Sequence, residues 1–214
     1  MRRVAALLVF AAALLARPAA AQNLLTDGSF ENPALSSSTT FTTIMNGSSF
    51  GAWTVTAGSV DLIRTYWAPA DGFQSIDLNG SGPGSIAQTF GTVSGSTYSL
   101  RFSMAGNPDY SLDKVMRVWW GTQDLGLFTF TQTGQTRANM GWQTITLSGL
   151  IASSTSTTLR FEGVNAGPTG IALDNVIVAL VPEPATTLLL GTGLLAALGF
   201  IRYRRLRTHA SPTA

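Results

Sequence analysis

Apolar and polar residues alternate strictly from Tyr98 to Met104, with Tyr98, Leu100, Phe102 and Met104 on one side and Ser99, Arg101 and Ser103 on the other. A period of two places successive side chains on opposite faces, so this stretch predicts a strand with one buried and one wet face. Comparable segments are Trp53 to Ile63, Gln74 to Leu78, Ser85 to Val93, Val115 to Trp120, Leu125 to Thr131, Gln143 to Leu147, Thr157 to Val164 and Ile171 to Leu180, with an opening strand expected around Leu24 to Phe30. No stretch between Gln22 and Val181 carries a convincing helical period.

Turn-forming clusters separate these segments: Asn79-Gly80-Ser81-Gly82-Pro83-Gly84, Ser94-Gly95-Ser96, Gly106-Asn107-Pro108-Asp109 and Asn165-Ala166-Gly167-Pro168. About nine or ten short strands in roughly 160 residues predict one all-β domain, an antiparallel β-sandwich of jelly-roll type. The Ser/Thr-rich stretch Ser36 to Thr43 reads as a mobile surface loop, or as an edge strand around Thr40 to Ile44. Trp53 is expected in the core. Trp119 and Trp120 are neighbours in one strand, so one of them must face inward and the other outward.

The two ends differ from the middle. Met1-Arg2-Arg3, an uncharged run from Val4 to Ala16 and a small-residue site at Ala19-Ala20-Ala21 form the parts of a secretory signal peptide, so residues 1–21 are expected to be removed. Arg2-Arg3 also matches a twin-arginine start, but no cofactor motif calls for export in the folded state, and the general secretory route is expected. At the other end Pro182-Glu183-Pro184 precedes an uncharged run over 185–201 and then Arg202, Arg204, Arg205 and Arg207. An apolar run of about 17 residues is at the lower limit for a transmembrane helix, and the arginines after it would keep 208–214 cytoplasmic. Taken by itself this segment fits an ordinary C-terminal anchor.

The order Pro-Glu-Pro, short hydrophobic run and arginine-rich end closely resembles the PEP-CTERM sorting signal of Gram-negative bacteria, over residues 181–207. The resemblance implies an exosortase as processing partner, a membrane-anchored intermediate, and delivery to the cell surface or an exopolysaccharide matrix. Charge then has to be divided. The whole chain carries +2, but between Gln22 and Val181 six basic residues face ten acidic ones, which leaves that region at six minus ten, or −4. No basic stripe remains to neutralise phosphates, and nucleic-acid binding is excluded. The chain has no cysteine, and its single histidine, His209, lies in the tail, so thiolate, Ser-His-Asp and histidine-metal chemistry are excluded from the domain.

A second resemblance covers most of Asn23 to Val178, within the β-sandwich domain expected over 22–180. It rests on Asn23-Leu24-Leu25-Thr26-Asp27-Gly28-Ser29-Phe30-Glu31, Gly51-Ala52-Trp53-Thr54-Val55, Gly58-Ser59-Val60-Asp61, Gln74-Ser75-Ile76-Asp77-Leu78, Ile86-Ala87-Gln88-Thr89-Phe90 and Ala172-Leu173-Asp174-Asn175-Val176. In this order the blocks resemble the choice-of-anchor C family, which is similar to plant cell-wall proteins of unknown biochemical role and to galactose-binding-domain-like sandwiches. The resemblance implies a structural calcium held by Glu31 and Asp174, with Asp27 assisting. The same residues fit a turn cap at Glu31 and backbone hydrogen bonds at Asp174.

Sugar recognition needs aromatic faces beside hydrogen-bonding groups. Tyr66-Trp67 precedes the loop residues Ala68-Pro69-Ala70-Asp71-Gly72 and is the first candidate for stacking, although a packed loop anchor fits the pair equally well. Trp120 is a further candidate. No motif marks a catalytic pair among the ten acids, and there is no phosphate loop or dinucleotide fingerprint. The expectation is a noncatalytic, exported surface or matrix protein that binds polysaccharide. The alternative is a structural or adhesion protein with protein partners and no specific sugar site.

Overall fold

The computed structural model describes residues 22–182, 193, 195–200 and 202. Among them are twelve strands: β1 (Phe41–Met45), β2 (Ser49–Phe50), β3 (Trp53–Ala57), β4 (Ser59–Ile63), β5 (Ser75–Asp77), β6 (Ser85–Gly91), β7 (Thr97–Gly106), β8 (Lys114–Trp120), β9 (Gln123–Phe130), β10 (Gln143–Ile151), β11 (Ser156–Gly163) and β12 (Ile171–Leu180). They form two six-stranded sheets, ordered β1-β4-β5-β12-β7-β10 and β2-β3-β6-β11-β8-β9, and the pairings are antiparallel. The protein is therefore an all-β antiparallel sandwich. Both sheets and the buried core lie within one compact unit ending at Val181.

Register turns the alternation of each strand into two rows across the first sheet. Leu62, Ile76, Leu173 and Met104 pair in succession across β4, β5, β12 and β7, and all are buried between the sheets. One position along, Thr43, Asp61, Asp77, Ala172 and Ala105 pair in succession from β1 to β7 on the opposite face. Asp61, Asp77, Ala172 and Ala105 of this second row are also buried. Loops roof that face: Ala68 N donates to Arg137 O, Trp142 Nε1 donates to Ala68 O, and Trp67 and Met140 are buried there.

Three elements depart from the expectations. The segment Trp53 to Ile63 is two strands in different sheets, broken at Gly58, whose φ is 55° and whose added Cβ would lie 2.0 Å from Pro83 O. Only glycine adopts that conformation against so close a carbonyl. The opening segment Leu24 to Phe30 is not a strand. Asp27 accepts the amides of Glu31 and Asn32 and folds the chain into a turn, with φ positive at Asp27 and Phe30. At the Ser/Thr stretch, the edge strand is the reading that forms, as β1. Trp53 is in the core as expected, donating Nε1 to Asp27 O.

The signal segment expected over 1–21 lies outside the described residues, as do Glu183, Pro184, Arg204, Arg205 and most of the span expected over 185–201. Gly193, residues 195–200 and Arg202 are helical and exposed. Among the described residues no helix is long and apolar enough to cross a membrane.

Candidate functional site

A cavity of about 380 Å³ opens over the second row of the first sheet, on the side of β1, β4 and β5. Thr43, Asp61, Ile63 and Asp77 form its floor, because period two sends these side chains away from the core. Loop residues supply its walls: Tyr66 and Trp67, Gly80 and Ser81, Asn107, Asp109 and Tyr110, and Pro168 and Thr169, with Phe41 at the rim.

The floor is acidic. Asp61 and Asp77 are direct cross-strand partners. Asp77 accepts hydrogen bonds from Asn79 N (2.9 Å), Gly170 N (3.1 Å) and Asn107 Nδ2 (2.7 Å). Asp61 Oδ1 accepts one from Thr43 Oγ1 (2.6 Å). Burial raises both carboxyls above the usual range, and Asp77, which also feels the charge of Asp61, is pushed up to about 7.

One wall is an aromatic and guanidinium stack. The Tyr66 hydroxyl donates to Asp109 and accepts from Arg137. Arg137 also donates from Nε and Nη2 to Asp109 Oδ1 (3.0 and 2.8 Å), and its guanidinium lies 3.8 Å from the Tyr66 ring centre. Phe41 meets Tyr66 edge-on at 5.6 Å. Tyr110, 61% exposed, adds a free ring at the mouth.

Of the predicted aromatic residues, Tyr66 lines this cavity while half-buried. Trp67 is a packed loop anchor: it is 4% exposed, and its Nε1 donates to Ser75 Oγ (2.8 Å) on the sheet beneath. Trp120 is corrected outright. It is 3% exposed, lies against Phe90 and Tyr98, and donates Nε1 to Ile151 O. Its neighbour Trp119 is the outward one, beside a second cavity of about 450 Å³, but the guanidiniums of Arg160 and Arg117 lie over its ring at 4.7 and 5.9 Å. The domain's own cations already cover that indole.

Glu31 and Asp174 reach the same loop from opposite ends of the chain, and what they hold there is backbone. Glu31 Oε1 accepts Phe73 N and Gln74 N. Asp174 Oδ2 accepts Ala70 N and Asp71 N, and its Oδ1 accepts Asn175 N. Asp27 gives both oxygens to Glu31 N and Asn32 N. Calcium needs six to eight oxygens, and these are turned to N–H donors. Among the described residues no group of three or more acidic, histidine or cysteine side chains is placed to hold a metal. The carboxylates present do not fit the ion.

Sequence reasoning missed Phe41, Asp61, Asp77, Asp109, Tyr110 and Arg137. Val60-Asp61-Leu62 and Ile76-Asp77-Leu78 do carry a signal, since each puts a carboxylate opposite two core residues. That the two acids become neighbours depends on register, which neither segment contains.

Residues 23–179 match the family described as protein of unknown function (DUF642), and residues 180–205 match the PEP-CTERM protein-sorting motif. Halomucin of Haloquadratum walsbyi is 33% identical over 172 residues, which cover 77% of this chain and 2% of halomucin. The chain thus spans a small fraction of that curated relative. Among solved structures, the sandwich is similar to TmCBM61 in complex with beta-1,4-galactotriose (10% identity, 75% of this chain and 99% of that one, TM-score 0.49). It is also similar to the CBM22-1 xylan-binding domain of Paenibacillus barcinonensis Xyn10C (13% identity, 78% and 100%, TM-score 0.48).

Proposed function

We propose, from the premise that the chain belongs to the DUF642 family, that its sandwich is a noncatalytic glycan-binding module displayed on the surface or in the extracellular matrix of a Gram-negative bacterium. The cavity over β1, β4 and β5 carries this reading. A sugar ring offers an apolar C–H face and a rim of hydroxyls, and the cavity sets the rings of Phe41, Tyr66 and Tyr110 beside Asp61, Asn107, Ser81 and Thr169. Clustered aromatics in a concave site favour a glycan over the flat apolar patch that an adhesion surface would present.

No motif marks a catalytic carboxylate pair in the sequence, which supports a noncatalytic role.

The sorting motif implies export, anchoring in the membrane before processing, and an exosortase as the processing partner. The narrower choice-of-anchor C resemblance fits the same arrangement of a sandwich followed by a sorting segment. Replacing Pro182-Glu183-Pro184 by alanines while keeping the hydrophobic run should leave an unprocessed, membrane-bound form in cell fractions. Normal maturation of that variant would refute the role given to the motif.

Binding is tested with residues 22–181 against a polysaccharide panel that includes the host's own exopolysaccharide. Specific binding is expected. Tyr110→Ala and Phe41→Ala, both at exposed rings, should each weaken it roughly tenfold, about 1.4 kcal/mol, without changing the melting temperature. Absence of binding to every glycan would defeat the reading.

A further inference from the structure

Resting on the glycan-binding reading of the same cavity, we infer that the sugar unit it accepts carries a free, protonated amine: the ligand is an amino sugar polymer rather than a neutral or uronate-containing one. The cavity has an unbalanced charge. Asp61, Asp77 and Asp109 all line it, but only Asp109 is ion-paired, since Arg137 is committed to it by two N–H groups and to the Tyr66 ring. Lys114 is buried behind the wall, where it favours the Asp77 carboxylate through space but donates Nζ to Thr169 Oγ1 and makes no ion pair with either floor acid. Asp61 and Asp77 have no ion pair among the described residues.

Ionising both of these neighbouring, buried acids together is costly unless a cation joins them. An acceptor is also open. Asp61 is 9% exposed and has its Oδ1 on Thr43, while its Oδ2, at the cavity floor, takes no hydrogen bond from any described residue. An ammonium brings three N–H donors and a positive charge to that oxygen. In the same cavity the exposed rings of Phe41 and Tyr110 present faces that attract cations and pack against the C–H face of the sugar.

The alternatives fit less well. A neutral sugar would supply a donor but no positive charge to join the two acids. A uronate would set a third carboxylate against two that are already desolvated. An inorganic cation such as calcium would meet the charge of the floor but makes no use of the exposed rings of Phe41 and Tyr110.

The test is binding of the 22–181 segment to fully deacetylated glucosamine oligosaccharides, with N-acetylated oligomers of equal length, cello-oligosaccharides and oligogalacturonates as comparisons. The free amine is expected to bind roughly tenfold or more tightly than its acetylated counterpart, with an affinity that falls as salt rises. Asp61→Asn keeps the size of the side chain and an acceptor for Thr43, and should abolish the preference at an unchanged melting temperature. Because a domain of net charge −4 attracts any polycation, Glu162→Gln, on the other sheet's outward face, removes one charge at a distance and should leave the preference intact. Should Asp61→Asn fail to fold, the wild-type comparison of amine with acetamide still decides.

Equal or tighter binding of acetylated or neutral oligomers overturns the amine inference and leaves the glycan reading in place. An equal loss in Asp61→Asn and Glu162→Gln, or full competition by millimolar calcium, overturns it as well. No binding to any oligosaccharide overturns both.

Discussion

Replacing Trp67 by alanine should lower the stability of the domain by about 3–5 kcal/mol, the usual cost of deleting a buried large aromatic side chain. Trp67 is packed beneath the loop over 64–73, on the outward face of the first sheet, where its Nε1 satisfies Ser75 Oγ and its ring lies 5.6 Å from that of Tyr66. The loop has other fastenings. Glu31 and Asp174 hold its backbone amides, Arg64 Nη1 donates to Phe73 O, and Trp142 and Arg137 bracket Ala68. Those polar ties keep the loop near the sheet, so the indole's absence leaves a void instead of a collapse, and the void is the expensive outcome. At about 2–4 °C per kcal/mol for a domain of this size, melting should drop by roughly 6–20 °C. Trp67→Phe keeps most of the volume and should cost about 1–2 kcal/mol, chiefly for the lost partner of Ser75. A Trp67→Ala melt within about 2 °C of wild type would show that the roof is not packed on the sheet. Loss of glycan binding in Trp67→Ala would say nothing about stacking, whereas loss in Tyr110→Ala would.

The domain is also expected to be more stable at pH 5 than at pH 8. Burial raises the carboxyls of Asp27, Asp61, Asp77 and Asp174, and takes Asp77 and Asp174 up to about 7 from an ordinary 3.8. An acid whose folded pKa exceeds its unfolded one holds its proton more readily in the fold. Its contribution is complete below about pH 4 and is lost as pH rises through about 7. At 1.36 kcal/mol per unit, one such group is worth up to about 4 kcal/mol. The groups facing Asp77 moderate this in both directions. Asp61 adds repulsion, while three N–H donors and the Lys114 ammonium favour the carboxylate. A fall of several degrees in melting temperature from pH 5 to pH 8 is the expected result. Asp77→Asn should flatten the slope while lowering stability at both pH values, because an amide NH2 must then meet N–H donors. A melting temperature that is flat or rises over this interval would contradict the burial described for these acids.

Much of the architecture follows from local pattern alone. The alternation at Tyr98 to Met104, the Gly- and Pro-rich turn clusters and the lack of helical period are enough to specify an antiparallel sandwich, because the faces of a strand are set by parity and need no partner. The C-terminal motif is legible for the same reason. A sorting motif is read along the chain, as Pro182-Glu183-Pro184 followed by an apolar run and arginines, and it needs no fold. Asp174 and Glu31 were traced to a common place, but the atoms they serve there are the amides of the loop over 70–74, which no count of carboxylates reveals.

Tertiary structure alone decided the site. Asp61 and Asp77 lie on strands whose sequences each predict a wet carboxylate, yet only the register of β4 against β5 makes them neighbours, and only the loops folded over them make them dry. The same roof decided between the two readings of Trp67, in favour of the packed anchor. Local chemistry placed it in a solvent-facing loop, but a loop that folds back over a sheet gives its largest side chain a second core to fill. For Trp119 and Trp120, parity required one inward and one outward residue, and the choice fell to which face of β8 meets the opposite sheet. Sequence therefore determined which residues share a face and which segment carries the sorting motif. Which faces are dry, and which acids and rings meet around one cavity, depends on pairings between segments distant in the chain, and those exist only after folding.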